Sequence, residues 1–197
     1  NYTMGLRFLA GAMGLPFMST KSLMGSSIEK YNPMIKVIDD PYTGQKVTLV
    51  PAATPDVAIV HVNRADRLGN AQYLSFSSNA ENIARAAKRT IITCEEIIPE
   101  DEIKRTPMLT SVPQYVVDAV VELPYCCHPW NMPCAYAYDI PFHMEMMAAI
   151  ETEEGFKKWL DEWAFGCKDH DDYCEKVGWS RLRKLTQVER KFYKSVL

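Results

Sequence analysis

The chain has 197 residues, 47% of them hydrophobic and 24% charged, enough apolar material for one domain to enclose a core. Its formal net charge of −3 argues against nucleic acid as the main partner, because phosphate binding is driven by clustered positive charge. No apolar run approaches the roughly 20 residues of a bilayer-spanning helix, and no secretory signal is visible, so neither membrane nor export is expected.

In chain order, residues 3–13 read as a helix that ends at Gly14, with Pro16 as a stop. Ser19 to Lys30 is small and polar, a loop with a short helix. Lys36–Asp39 and Lys46–Val50 flank the turn sequence Asp40-Pro41-Tyr42-Thr43-Gly44 and predict a hairpin. Val57 to Val62 is an apolar run that reads as a strand buried on both faces. Asn79 is placed to cap the helix-favouring stretch Ala80–Lys88, and Thr90–Cys94 is a second apolar strand. Strand, helix, strand at this length is a βαβ crossover, so the two strands should be parallel. Tyr115–Leu123 supplies a further β-branched run, closed by Pro124. The fold class expected is therefore α/β: an open, mostly parallel sheet with helices on both faces, in a single domain over residues 1–197.

From about Glu151 to residue 197 the pattern becomes helical alone, a C-terminal tail. Phe156, Trp159, Leu160 and Trp163 recur at i, i+3, i+4, i+7, an apolar stripe for the core or a subunit interface. Gly166 ends that helix, Asp169 caps the next, Gly178 ends it, and Thr186-Gln187-Val188-Glu189 reads as a capping box opening a last helix.

Chemistry is concentrated in two turns. The run Val57–Val62 stops in a charged turn with Arg64, Asp66, Gly69 and Asn70, at the strand end where open α/β sheets bind ligands. Arg64 can pair with a phosphate or carboxylate, or fix the turn by an ion pair to Asp66, with Gly69-Asn70 supplying positive φ. His61 reads more simply as a core or rim residue. The second turn holds His128 and Pro129 after a strand. His128 can serve general acid–base chemistry or lock its loop. Glu81, Glu95, Glu96 and Glu122 read as helix-surface or strand-end carboxylates. Two Cys/His groups, Cys167-His170-Cys174 and Cys126-Cys127-His128-Cys134, lack the spacing of structural zinc sites, so no metal is expected. The six cysteines, without a secretory signal, point to reduced thiols and a cytoplasmic setting.

Three segments carry a resemblance. Pro55-Asp56-Val57-Ala58-Ile59-Val60-His61-Val62-Asn63-Arg64-Ala65-Asp66-Arg67-Leu68-Gly69-Asn70-Ala71 resembles the signature of the α (A) subunits of class I CoA-transferases, glutaconate type. Pro124-Tyr125-Cys126-Cys127-His128-Pro129 with Tyr136-Ala137-Tyr138-Asp139 resembles the family's Pro-x-Gly-Ala-His-Pro and Gly-Tyr-Tyr-x-x-Asp element. Residues 156–173 resemble its helical tail. Cys126 and Cys127 stand where the family has a small Gly-Ala pair, and Ala135 where a glycine is common, which bears on acyl specificity.

The resemblance implies an enzyme that moves CoA from an acyl-CoA thioester to a carboxylic acid. Coenzyme A is then a co-substrate, with no permanently bound cofactor. It implies covalent catalysis by a glutamate on a partner β (B) subunit in a hetero-oligomer, so no catalytic residue is expected in this chain. His128, Pro129, Arg64, Asp66, Gly69 and Asn70 become the candidates for contact with substrate or CoA. It further implies that the chain corresponds to the C-terminal two-thirds of such a subunit. Two alternatives stay open: a related subunit that opens or hydrolyses cyclic CoA thioesters, and a non-catalytic α/β binding or assembly subunit.

Overall fold

The computed structural model describes residues 2–77 and 79–196. Helix α1 (Tyr2–Ala12) gives way to Gly14 at φ +68°, a left-handed position that suits glycine, with Pro16 just beyond. Strand β1 (Phe17–Thr20), helix α2 (Ser27–Tyr31) and strands β2 (Lys36–Asp39) and β3 (Lys46–Pro51) follow. These strands form an antiparallel sheet in the order β1-β3-β2. The hairpin turn forms as expected: Asp40 Oδ1 accepts from Tyr42 N at 3.0 Å. Strand β1 differs from the loop expected at Ser19 and Thr20. These residues pair with Leu49 and Thr48, because β3 offers them an open edge that no local pattern announces.

The larger sheet contains β4 (Val57–Ala65), β5 (Ala71–Gln72), β6 (Arg89–Ile97), β7 (Thr110–Val112) and β8 (Ala119–Glu122). Helix α3 (Ala80–Ala86) lies between β5 and β6 in sequence, and α4 (Glu100–Arg105) follows β6. The strand order is β7-β5-β4-β6-β8. Strands β4, β6 and β8, the three longest, run parallel, while β5 and β7 add an antiparallel margin. The α/β class and the β4-α3-β6 crossover are those expected. Asn79 sits at the head of α3, though its side chain makes no capping bond.

Strand β4 is not buried on both faces. Ala58, Val60 and Val62 are enclosed against Ile92, Cys94 and Ala84, but Val57 is 50% and Ile59 71% exposed. Helix α3 covers one face; toward the start of the strand, no described element covers the other. An unbroken apolar run therefore hid a strand with one packed face.

Four helices complete the chain: α5 (Ile140–Ala149), α6 (Glu153–Trp163), α7 (His170–Val177) and α8 (Trp179–Val196). Asp169 caps α7 as expected, accepting from Asp172 N at 2.9 Å. Trp159 and Trp163 meet the edge of the buried Phe142 ring, with centroids 5.4 and 4.8 Å away, while Phe156 stays 46% exposed. The capping box does not form. Helix α8 runs unbroken from Trp179 through Thr186, because the Thr186 and Glu189 side chains have tertiary partners instead. No described helix is long and apolar enough to cross a membrane.

Candidate active-site cleft

The turn after β4 is built around Asp66, which is fully buried. Its Oδ1 accepts from the backbone N–H groups of Leu68, Gly69 and Asn70 at 2.9–3.0 Å, and its Oδ2 accepts from Asn70 Nδ2 at 2.8 Å. Gly69 has φ +105°, and a Cβ there would stand 2.8 Å from Val117 Cβ. Asp66, Gly69 and Asn70 thus hold the turn together. Arg64 turns from Asp66 to Gln72 and Thr106, donating from Nε to Gln72 Oε1 at 2.9 Å, and its guanidinium borders a cleft.

The loop between β8 and α5 is pinned by a second buried carboxylate. Asp139 accepts from Arg181 Nε at 2.5 Å and Nη2 at 2.8 Å, pairs with His128 Nε2 at 3.1 Å, and caps α5 by accepting from Phe142 N at 3.1 Å. Burial alone would raise its carboxyl, but these donors, Arg181 first, hold it near 2. Burial holds the His128 imidazole below its ordinary value, against the pull of Asp139. Its other nitrogen meets Tyr173 Oη at 2.7 Å, and its side chain has no exposed surface. A ring so enclosed presents no atom to a ligand; His128 and the cis Pro129 that follows shape the loop.

Helix α8 braces the same loop along one face. Besides Arg181, Leu185 O accepts from Ala137 N, Thr186 Oγ1 meets Tyr125 Oη at 3.1 Å, and Glu189 Oε1 accepts from Cys134 N at 2.9 Å. Tyr125 and Cys134, which these contacts hold, are the two non-glycine residues at positive φ among the described residues, +63° and +67°.

Between the ends of β4 and β6, this loop and α8 lies a cleft of about 340 Å3. Arg64 and Arg190 bring positive charge to it; Glu95 and Glu96 bring negative charge. Glu95 Oε1 pairs with His61 Nε2 at 2.6 Å, and its Oε2 accepts from Tyr125 N at 2.9 Å. Burial lowers the His61 pKa, but its interactions with the Cys126 side chain and the Glu95 carboxylate outweigh that and raise it to about 9. Buried Asn63 ties the cleft wall together, donating to Pro133 O at 2.7 Å and accepting from Leu74 N at 2.8 Å.

The sequence of residues 3–123 matches the family described as Coenzyme A transferase. The chain belongs to the coenzyme A transferase family. It is 38% identical to the A subunit of glutaconate CoA-transferase from Acidaminococcus fermentans, over 91% of this chain and 61% of that one. The crystal structure of that glutaconate coenzyme A-transferase superposes with a TM-score of 0.88 at 36% identity, covering 93% of this chain and 63% of that one. It is also 35% identical to the A subunit of 3-oxoadipate CoA-transferase from Pseudomonas knackmussii, over 86% of this chain and 60% of that one. An uncharacterized protein of Archaeoglobus fulgidus is 47% identical over 96% of this chain and 42% of that one. The chain therefore spans about three fifths or less of the length of these relatives.

Several organising residues of this coenzyme A transferase chain escaped the sequence reading. Glu95 passes for a strand-end charge, and its partner His61 lies 34 residues away, so only the parallel register unites them. Asn63 carries a signal, an amide inside an apolar strand, since such a group needs partners when buried. Arg181 gave none. In the Cys167-His170-Cys174 group, Cys174 Sγ meets His170 Nε2 at 3.4 Å, while Cys167 turns to Glu162 O. Among the described residues, no three His, Cys, Asp or Glu side chains converge as a metal would need.

Proposed function

We propose that this chain is an A-type subunit of a CoA-transferase that moves CoA between an acyl-CoA thioester and a carboxylic acid. It works with a B-type partner in a hetero-oligomer. The carrying observation is the match to two A subunits of CoA-transferases across most of this chain, joined to a charged cleft at the ends of its parallel strands. The nucleophilic glutamate comes from the partner. Glu95, the carboxylate most firmly held in the cleft, spends its oxygens on His61 and Tyr125 and organises the wall instead.

Arg64 and Arg190 receive the anionic groups of acyl-CoA or acid, for which the guanidinium fork is suited. Asp66, Gly69, Asn70, His128 and Pro129 act at one remove, fixing the loops that carry the cleft. The six unpaired cysteines fit a cytoplasmic setting. The test is to co-purify the chain with its partner, incubate with a panel of acyl-CoAs, reduce with borohydride and map the modified peptide. A reduced glutamate on the partner is the expected result. Consumption of acyl-CoA with no trapped glutamate points to ring opening or hydrolysis, and a modified residue on this chain overturns the division of roles.

A further inference from the structure

Strand β4 is the middle strand of its sheet, yet one of its edges is open. Strand β6 pairs along it from Val57 onward, whereas β5, on the other side, pairs only at Arg64 and Ala65. Backbone groups alternate in direction along a strand. Asp56 O accepts from Arg89 N on the β6 side, and His61 O accepts from Tyr73 Oη on the other. The peptide groups of Val57 and Ile59 therefore face the open edge, as that of His61 does, and no described strand lies against them. Proteins commonly blunt an exposed edge with lysine or proline, and Val57–Val62 holds neither. Beside the edge runs a groove of about 400 Å3, lined by Met4 and Phe8 of α1, Ala80 and Ile83 of α3, and Ile59 and Tyr73.

We propose that this edge is the docking site of one further β-strand, carried by the part of an A-type subunit that lies outside the region matched here. The inference rests on the A-type reading. The chain superposes closely on about three fifths of its glutaconate-type relative, so the other two fifths must find a place on a framework like this one. A central strand of a parallel sheet is paired on both edges and covered on both faces. The gap lies beside that central strand, not at the margin strands β7 and β8 where a separate protein would add, which favours a segment of the subunit's own fold. Side chains of the incoming strand alternate. One set enters the groove against Met4, Phe8 and Ile83; the other lies beside the exposed Val57 and Ile59. Both sets are apolar, so the strand is an unbroken apolar run like β4 itself. Main-chain hydrogen bonds to Val57 and Ile59 supply the attachment, as in other strand additions.

The experiment places the photo-crosslinker p-benzoylphenylalanine at Ile59, and in a second variant at Val57, in protein purified from its native cells with every co-purifying chain retained. After irradiation, the joined peptides are sequenced by mass spectrometry. The expected peptide is an apolar run that aligns with the part of the Acidaminococcus fermentans A subunit outside the matched region. A peptide from a B-type partner, or from a second copy of the residues described here, overturns the proposal. The label at Met108, 97% exposed, controls for indiscriminate capture; the same peptide from that position also overturns it. In the unlabelled complex, the Val57 and Ile59 amides should exchange hydrogen about a hundredfold or more slower than in an unstructured peptide. Should both labels displace the strand by their bulk, exchange decides alone: unprotected amides refute the docking. Borohydride trapping on the same sample separates this inference from the reading beneath it. A glutamate trapped on the partner beside an unprotected edge removes the docked strand and leaves the A-type role intact.

Discussion

Replacing Asp139 by asparagine keeps the side chain's shape and its capping oxygen but removes the charge that Arg181 and His128 share. The carboxyl is 2% exposed and is held at about 2, against an ordinary 3.8. At about 1.4 kcal/mol per pKa unit this corresponds to about 2 kcal/mol of stability at neutral pH. Asp139→Ala also removes the cap, worth about 1 kcal/mol, and strands Arg181 and His128, for a total of about 3–4 kcal/mol. Urea unfolding at pH 7 should show both losses in that order. For a chain of this length, the asparagine variant should melt about 4–8 °C lower. The native carboxyl is depressed, so its contribution is complete above about pH 4 and disappears as pH falls through about 2. The wild type should therefore lose stability over that window more steeply than Asp139→Asn. If the asparagine variant unfolds within about 0.5 kcal/mol of wild type at pH 7, the buried pair does not anchor the loop.

Two other perturbations test the turn after β4 and the middle of that strand. Gly69→Ala puts a methyl 2.8 Å from Val117 Cβ at a backbone angle of +105°, and should cost about 1–3 kcal/mol in urea unfolding. The double variant with Val117→Ala should recover the contact part of that loss and leave the backbone part. His61 titrates in the opposite sense from Asp139: its raised pKa stabilises the fold below about 6.5, and that stability is lost as pH rises through about 9. Unfolding measured at pH 6.5 and pH 10 should show a fall of up to about 3 kcal/mol that His61→Gln abolishes.

What could be read from the sequence was local or periodic. The Asp40–Gly44 hairpin, the β4-α3-β6 crossover and the Asp169 cap all depend on residues a few positions apart, whose geometry the backbone enforces. The exposed half of β4 was hidden because a continuous apolar run looks the same whether one face is covered or two. Thr186 and Glu189 have the letters of a capping box, yet two long-range partners hold them inside a helix instead. The cleft was legible in outline, at the end of a parallel strand beside Arg64. Its internal order was not, since His61–Glu95 and Asp139–Arg181 join residues 34 and 42 apart through tertiary placement.

Helix α8 acts on the Tyr125–Asp139 loop as a ruler. Its contacts fall at Arg181, Leu185, Thr186 and Glu189, steps that share one side of a helix with 3.6 residues per turn. The first and last marks are about 12 Å apart at 1.5 Å per residue. Individual side chains in the loop can be exchanged without disturbing that scale. Adding or removing a single residue between Arg181 and Leu185 turns every later mark by about 100°, so the loop would lose its grip at Tyr125 and Cys134 together. Over evolutionary time this stretch should accept substitutions far more readily than changes in length.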